Sequence, residues 1–218
     1  MELGMVGLGR MGGNMVQRLL NGGQRVVTYD RSAEAVTGSQ SLGAVGASSL
    51  EDLAGQLSHP RAVWVMVPAG QPTEDTIDSL IPLLSAGDTV LDGGNANYKD
   101  SMRRGEKLAD HGIDFMDVGT SGGIWGLAEG YSLMIGGDIN VYQRLEPIFQ
   151  TLVPGKDQGL SHVGPVGAGH FVKMIHNGVE YGLMQAYAEG FEIMEAKKEF
   201  GLDLGQIAQG WRYGSVVR

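Results

Sequence analysis

The sequence contains no cysteine. Disulfides, thiol nucleophiles, cysteine-ligated zinc and iron–sulfur clusters are therefore excluded. The absence also suits a reducing compartment. Positive charge is scarce: 16 Lys and Arg face 25 Asp and Glu, a net charge of −9. Nucleic acid needs a basic surface, so it is not an expected partner. A phosphorylated substrate would gain no long-range steering from such a charge. An anion site must then be built locally, from a few cations and helix N-termini. Long hydrophobic runs are missing too. Nothing approaches the ~18 apolar residues of a membrane helix, and Met-Glu-Leu-Gly-Met-Val-Gly at the N-terminus has no basic n-region. The expectation is a cytoplasmic protein with no membrane partner.

Glycine is what the chain has in excess, 36 residues without a G-X-Y period, which excludes collagen and points to tight turns and to backbone brought close to a ligand. Short apolar runs alternate with helical patterns. Leu3–Val6, Arg25–Tyr29, Ala62–Val67, Asp88–Leu91 and Ile113–Val118 are expected as strands, each ending near Gly, Pro or a small polar residue. Met11, Met15, Leu19 and Leu20 share one face of a helix that stops at Gly22-Gly23, and Glu74–Leu84 and Lys99–His111 are expected as helices. This alternation predicts an α/β fold, a parallel doubly wound sheet of the Rossmann type with ligands at the carboxyl ends of its strands. After Gly164 the pattern changes. Apolar residues from Phe171 to Met194 recur at helical spacing, and Leu204–Trp211 makes a second helix. The expected domains are 1–164, binding a dinucleotide, and 165–218, a long helix that begins an all-α domain.

Gly7-Leu8-Gly9-Arg10-Met11-Gly12 matches G-x-G-x-x-G. Alone the pattern is weak in a glycine-rich chain. Here it follows the first strand, opens a helix, and is followed by Asp30, 18 residues after Gly12, at the end of the second strand. That context predicts a dinucleotide cofactor, its pyrophosphate on the helix N-terminus. Val67 and Pro68, closing the third strand, are expected at the same site. The two residues ending the second strand point opposite ways. Asp30 suits a ribose 2′-hydroxyl and repels a 2′-phosphate, which favours NAD; Arg31 would serve NADP. NAD is the expectation and NADP stays open.

On the long helix Lys173, His176, Asn177 and Glu180 stand at i, i+3, i+4 and i+7, so one face holds an amine, an imidazole, an amide and a carboxylate, with Tyr181 next. Apolar neighbours suggest a largely buried helix, on which such a stripe needs partners or a ligand; an exposed face with a Lys–Glu pair is the competing explanation. His170 falls on another face, which argues against a two-histidine metal site, and no metal site is expected. His59, His111 and His162 are isolated and fit structural or surface roles. Met184 and Met194 are expected in the core.

The run Gly167 to Gly182, containing His170-Phe171-Val172-Lys173-Met174-Ile175-His176-Asn177-Gly178-Val179-Glu180-Tyr181, resembles the signature of 6-phosphogluconate dehydrogenases. Gly7–Met15, Asp92-Gly93-Gly94-Asn95, Ser121-Gly122-Gly123 and Ser132–Gly137 resemble further motifs of that family, in its short bacterial form. The resemblance implies an NAD(P)-dependent oxidative decarboxylation of 6-phosphogluconate to ribulose 5-phosphate by a homodimer. Lys173 would be the general base and Glu180 the acid that protonates the enediol. Ser121, Gly122 and Gly123 would hold the carboxylate end. Asn95, His176 and Asn177 would bind hydroxyls, with Asn95 near the nicotinamide, and Tyr181 would touch the phosphate. Ile124-Trp125 stand where long forms tend to be acidic. The family's helical domain would run on past Arg218 and bring cationic phosphate ligands, some from a partner subunit. A related dehydrogenase of an unphosphorylated 3-hydroxy acid, and a cofactor-binding fragment without catalysis, are the alternatives.

Overall fold

The computed structural model describes residues 1–217. In chain order the elements are β1 (Glu2–Val6), α1 (Arg10–Asn21), β2 (Arg25–Tyr29), α2 (Ala33–Ser41), β3 (Val45–Gly46), α3 (Leu50–Gly55), β4 (Ala62–Val65), α4 (Gln71–Leu80), β5 (Thr89–Asp92), α5 (Tyr98–Ala109), β6 (Asp114–Ser121), α6 (Gly126–Glu129), β7 (Ser132–Gly136), α7 (Ile139–Leu152), β8 (Leu160–Gly164), α8 (Ala168–Ala196) and α9 (Leu204–Trp211). The strands form one sheet in the order β3-β2-β1-β4-β5-β6-β7-β8. The chain winds outward from β1 to β3, then returns to β4 on the other side of β1. The carboxyl ends of β1 and β4 thus flank a topological switch point, where such sheets leave a crevice.

The sheet is not wholly parallel. β7 runs antiparallel to β6, while the other pairings, including β7 with β8, are parallel. β3, β7 and β8 were outside the five strands expected from apolar runs. β3 has two residues, and β7 and β8 are interrupted by Ser, Gly and His. Their pairing partners, rather than their own composition, make them strands.

Alternation along β4 divides the interior. Trp64 belongs to the apolar cluster containing Met15, Leu19 and Phe149; Val63 and Val65 belong to the cluster containing Leu53, Ile77 and Leu108. Trp64 meets Phe149 edge to face, centroids 6.0 Å apart. The helices that cover the sheet start where the sequence supplies caps: Ser32, Ser49, Asn97 and Asp138 each accept a bond from a first-turn N–H.

The chain divides into two compact units, Met1–Met174 and a second beginning at Ile175, so the division falls within α8. In the second unit Asp203 caps α9, and Phe191 packs edge to face on Trp211 at 5.6 Å. The expectation of a largely buried long helix is corrected. Within α8 only Gly169, His170 and Lys173 are buried, and Ile175, Val179, Leu183 and Met184 are each more than half exposed. Met184 is therefore not a core residue here, and Met194 is half-buried. Helical periodicity tells which residues share a face; whether that face is covered depends on a neighbour that the local pattern does not reveal. No helix among the described residues is long and apolar enough to cross a membrane, and no group of acidic or histidine side chains among them could hold a metal ion.

Candidate active site

The loop between β1 and α1 is fixed by two contacts that only glycine permits. Gly7 has φ +97°, and a Cβ there would lie 2.4 Å from the Met66 carbonyl oxygen. A Cβ on Gly12 would lie 2.0 Å from the Gly7 carbonyl, so the first turn of α1 closes directly on the loop. Gly9 is different. It occupies the N-cap position of α1 without a side-chain cap, and no atom of the described residues lies within 4 Å of where its Cβ would be. The first turn of α1, unlike that of the capped helices, thus has no side-chain cap and borders the cleft, an arrangement that suits an anionic group.

Asp30 ties this loop to the end of β2. Its Oδ2 accepts the Leu8 N–H at 2.7 Å and its Oδ1 the Ser32 N–H at 2.8 Å. A carboxylate so held is preorganised, and it also stiffens the glycine loop. Asp30 lines a cleft of about 460 Å³ with Gly7, Gly9, Tyr29, Arg31, Val67 and Pro68. The far wall is α4, through Gln71, Asp75, Thr76 and Ser79, which the sequence reading did not include. Their only signal is polar spacing on one helix face.

A second cleft of about 440 Å³ shares Gly9, Met66, Val67 and Pro68 with the first and continues past Arg10, Met11 and Gly12 to Gly93, Gly94, Asn95, Thr120 and Lys173. The two make one groove across the switch point. Lys173 is only 9% exposed. Its stem rests on β6: a Cβ on Gly119 would lie 2.5 Å from the Lys173 Cβ, so glycine at 119 is what allows the helix this close. Thr120 was also missed by the sequence reading, and no motif marks it.

The strand ends behind the groove carry buried charge. Asp92 and Asp117 face each other in register on β5 and β6, both fully buried. Asp92 accepts from Arg104 at 3.1 Å and from the Gly94 N–H at 3.1 Å. Burial pushes its carboxyl above the usual range, against the pull of His170 and Arg104. Arg104, 1% exposed, also reaches Glu74, which the hydrogen bond from Arg103 helps hold down at about 2. Asp117 accepts from the N–H groups of Gly167 and His170, both at 2.7 Å, and so anchors the start of α8.

The other expected site residues are not among those that line these two clefts. Ser121 ends β6, and Gly122 and Gly123 follow it as an exposed turn. His176, Asn177, Glu180 and Tyr181 belong to the second unit, where His176 Nδ1 is 3.7 Å from Glu180 Oε2 and Tyr181 is 70% exposed. The residues lining the two clefts all belong to the first unit.

Comparison with known proteins agrees with this anatomy. The family described as "NAD binding domain of 6-phosphogluconate dehydrogenase" matches residues 2–158, and "6-phosphogluconate dehydrogenase, C-terminal domain" matches residues 169–199. An NAD(+)-dependent, decarboxylating 6-phosphogluconate dehydrogenase of Haloferax volcanii is 46% identical over 218 residues, covering 100% of this chain and 71% of that protein. A putative 6-phosphogluconate dehydrogenase of Bacillus subtilis is 40% identical over 100% of this chain and 72% of its own length. The solved 6-phosphogluconate dehydrogenase of Plasmodium falciparum superposes with a TM-score of 0.90 at 28% identity, over 98% of this chain and 48% of that one.

Proposed function

The chain belongs to the 6-phosphogluconate dehydrogenase family, and on that premise we propose that it serves the oxidative decarboxylation of 6-phosphogluconate to ribulose 5-phosphate with NAD as hydride acceptor. The observation that carries the proposal is the buried Lys173 in the same groove as Gly9–Gly12 and Asn95. A nicotinamide dinucleotide fits there: α1 offers uncapped N–H groups, Gly9 leaves space, and Asp30 and Arg31 line the far end. Bound in that groove, NAD would supply the hydride acceptor.

The chain's own residues do the rest. Lys173 takes the proton of the 3-hydroxyl as the hydride departs from the same carbon. Once protonated, its ammonium stabilises the negative charge that grows on the keto oxygen as CO₂ leaves. Glu180 then protonates the enediol. Glu180 stands seven helical positions after Lys173, a rise of ~10.5 Å, and both side chains are long enough to converge on one sugar acid. Ser121, Gly122 and Gly123 hold the carboxylate end, Asn95, His176 and Asn177 bind hydroxyls, and Tyr181 contacts the phosphate. Residues 1–164 form the dinucleotide-binding domain and 165–218 belong to the helical substrate domain of a homodimeric, cytoplasmic enzyme. The measurement is kcat/KM for 6-phosphogluconate against gluconate and 3-hydroxyisobutyrate, with NADH affinity by calorimetry. 6-Phosphogluconate is expected to be the best substrate; a higher kcat/KM for either comparator would remove the assignment.

Asp30→Ser is expected to do two things. Losing the carboxylate removes repulsion of a 2′-phosphate and shifts the NADP/NAD ratio of kcat/KM upward by roughly tenfold, an effect of about 1.4 kcal/mol. The Leu8 N–H also loses its acceptor, so affinity for both cofactors falls. Steady-state kinetics with each cofactor tests this; a wild type that already prefers NADP strongly would contradict the role given to Asp30.

A further inference from the structure

Lys173 is placed by machinery that does not touch the groove. One turn before it on α8, His170 is 2% exposed, and its Nδ1 forms a 2.7 Å hydrogen bond with Ser101 Oγ, itself fully buried on α5. The other ring nitrogen, Nε2, is buried with no hydrogen-bond partner among the described residues, so the imidazole is held through Nδ1. The His170 backbone N–H is held by Asp117 from β6. Three elements, α5, β6 and α8, thus meet at this one residue. α5 also carries Arg104, whose partner Asp92 accepts from the Gly94 N–H beside Asn95. The same helix face therefore braces both walls of the groove.

We propose that Ser101 and His170 are positioning residues: their buried hydrogen bond locks the first turn of α8 onto α5 and β6, and so fixes where the Lys173 amine stands in the groove. This rests on the reading of Lys173 as the base. The physical reason is that a helix pressed on glycine backbone can slide or roll unless something directional holds it. Packing at Gly119 sets how closely α8 approaches; a hydrogen bond sets its rotation. A misplacement of about 1 Å at the reacting centre can cost on the order of 10²-fold in rate.

The test compares Ser101→Ala, His170→Ala and His170→Asn in the full chain. Asn places a polar atom near the position of Nδ1. Two readouts are taken: kcat and KM with 6-phosphogluconate, and competitive acetylation of Lys173 measured by peptide mass spectrometry against Lys156 and Lys198. Both alanine variants are expected to lose roughly 10- to 10²-fold in kcat with little change in KM, and to label Lys173 at least about threefold faster. His170→Asn is expected to recover most of both. Unchanged kcat and labelling in the alanine variants would overturn the proposal, as would an asparagine variant as impaired as alanine. Should His170→Ala fail to fold, Ser101→Ala, which deletes one hydroxyl, decides the matter. The labelling readout stays separate from the catalytic reading: if Lys173 were not the base, labelling would still respond while Lys173→Met kept its turnover.

Discussion

Lys173→Met is expected to lower turnover of 6-phosphogluconate by ~10²–10⁴-fold, the usual loss when a positioned general base is removed. NADH affinity should stay near wild type. The change keeps the unbranched stem that packs on Gly119, so the helix start keeps its seat and only the amine is deleted. The glycine loop and Asp30 hold each other through the Leu8 N–H without any help from α8. Rapid-mixing kinetics and calorimetry on the same preparation make the check. Near-wild-type turnover would end the assignment of Lys173, and loss of NADH binding would mean that the substitution had disturbed the groove itself.

The largest stability effect is expected at Arg104. Arg104→Met leaves Asp92 fully buried without its cationic partner, and breaking a buried pair in this way typically costs ~3–5 kcal/mol. The loss should depend on pH in a defined sense. Burial already raises the Asp92 carboxyl above its ordinary value, so in the folded protein this group binds its proton more tightly than in the unfolded chain. Such a group lowers stability progressively as pH rises from the unfolded pKa through the folded one, and the penalty persists above that range. Without Arg104 the folded value climbs further and the penalty at neutral pH grows. The Tm gap between wild type and variant is therefore expected to be wider at pH 8 than at pH 4. Equal gaps at both would mean that Asp92 is neutral, or solvated, in the folded protein.

The five strongest strands could be located from the sequence because each is an apolar run closed by a turn residue, and the glycine loop because its glycines stand in a strand–turn–helix context. Leu204–Trp211 was legible from the sequence, and the structure adds the Asp203 cap at its start. β7 and β8 were not, since nothing in Ser132–Gly136 or Leu160–Gly164 distinguishes a strand until the neighbouring strand supplies hydrogen bonds. The extent of exposure on α8 was likewise hidden, because apolar spacing specifies a face without saying what lies against it.

For the groove the division is sharper. Residue types and spacing alone pointed to Gly7, Gly9, Gly12 and Asp30 as a dinucleotide site, because backbone clearance and a carboxylate at a strand end are local demands. Local order also put Lys173, His176, Asn177 and Glu180 on one helical stripe. Only the tertiary structure decided that Lys173 enters the groove beside Asn95, that Asp92 and Asp117 stand side by side behind it, and that Ser101 reaches His170 across 69 residues of sequence. Those contacts join strands and helices whose order in the sheet differs from their order in the chain. A buried charge or hydroxyl declares its purpose only when the group that satisfies it is in place.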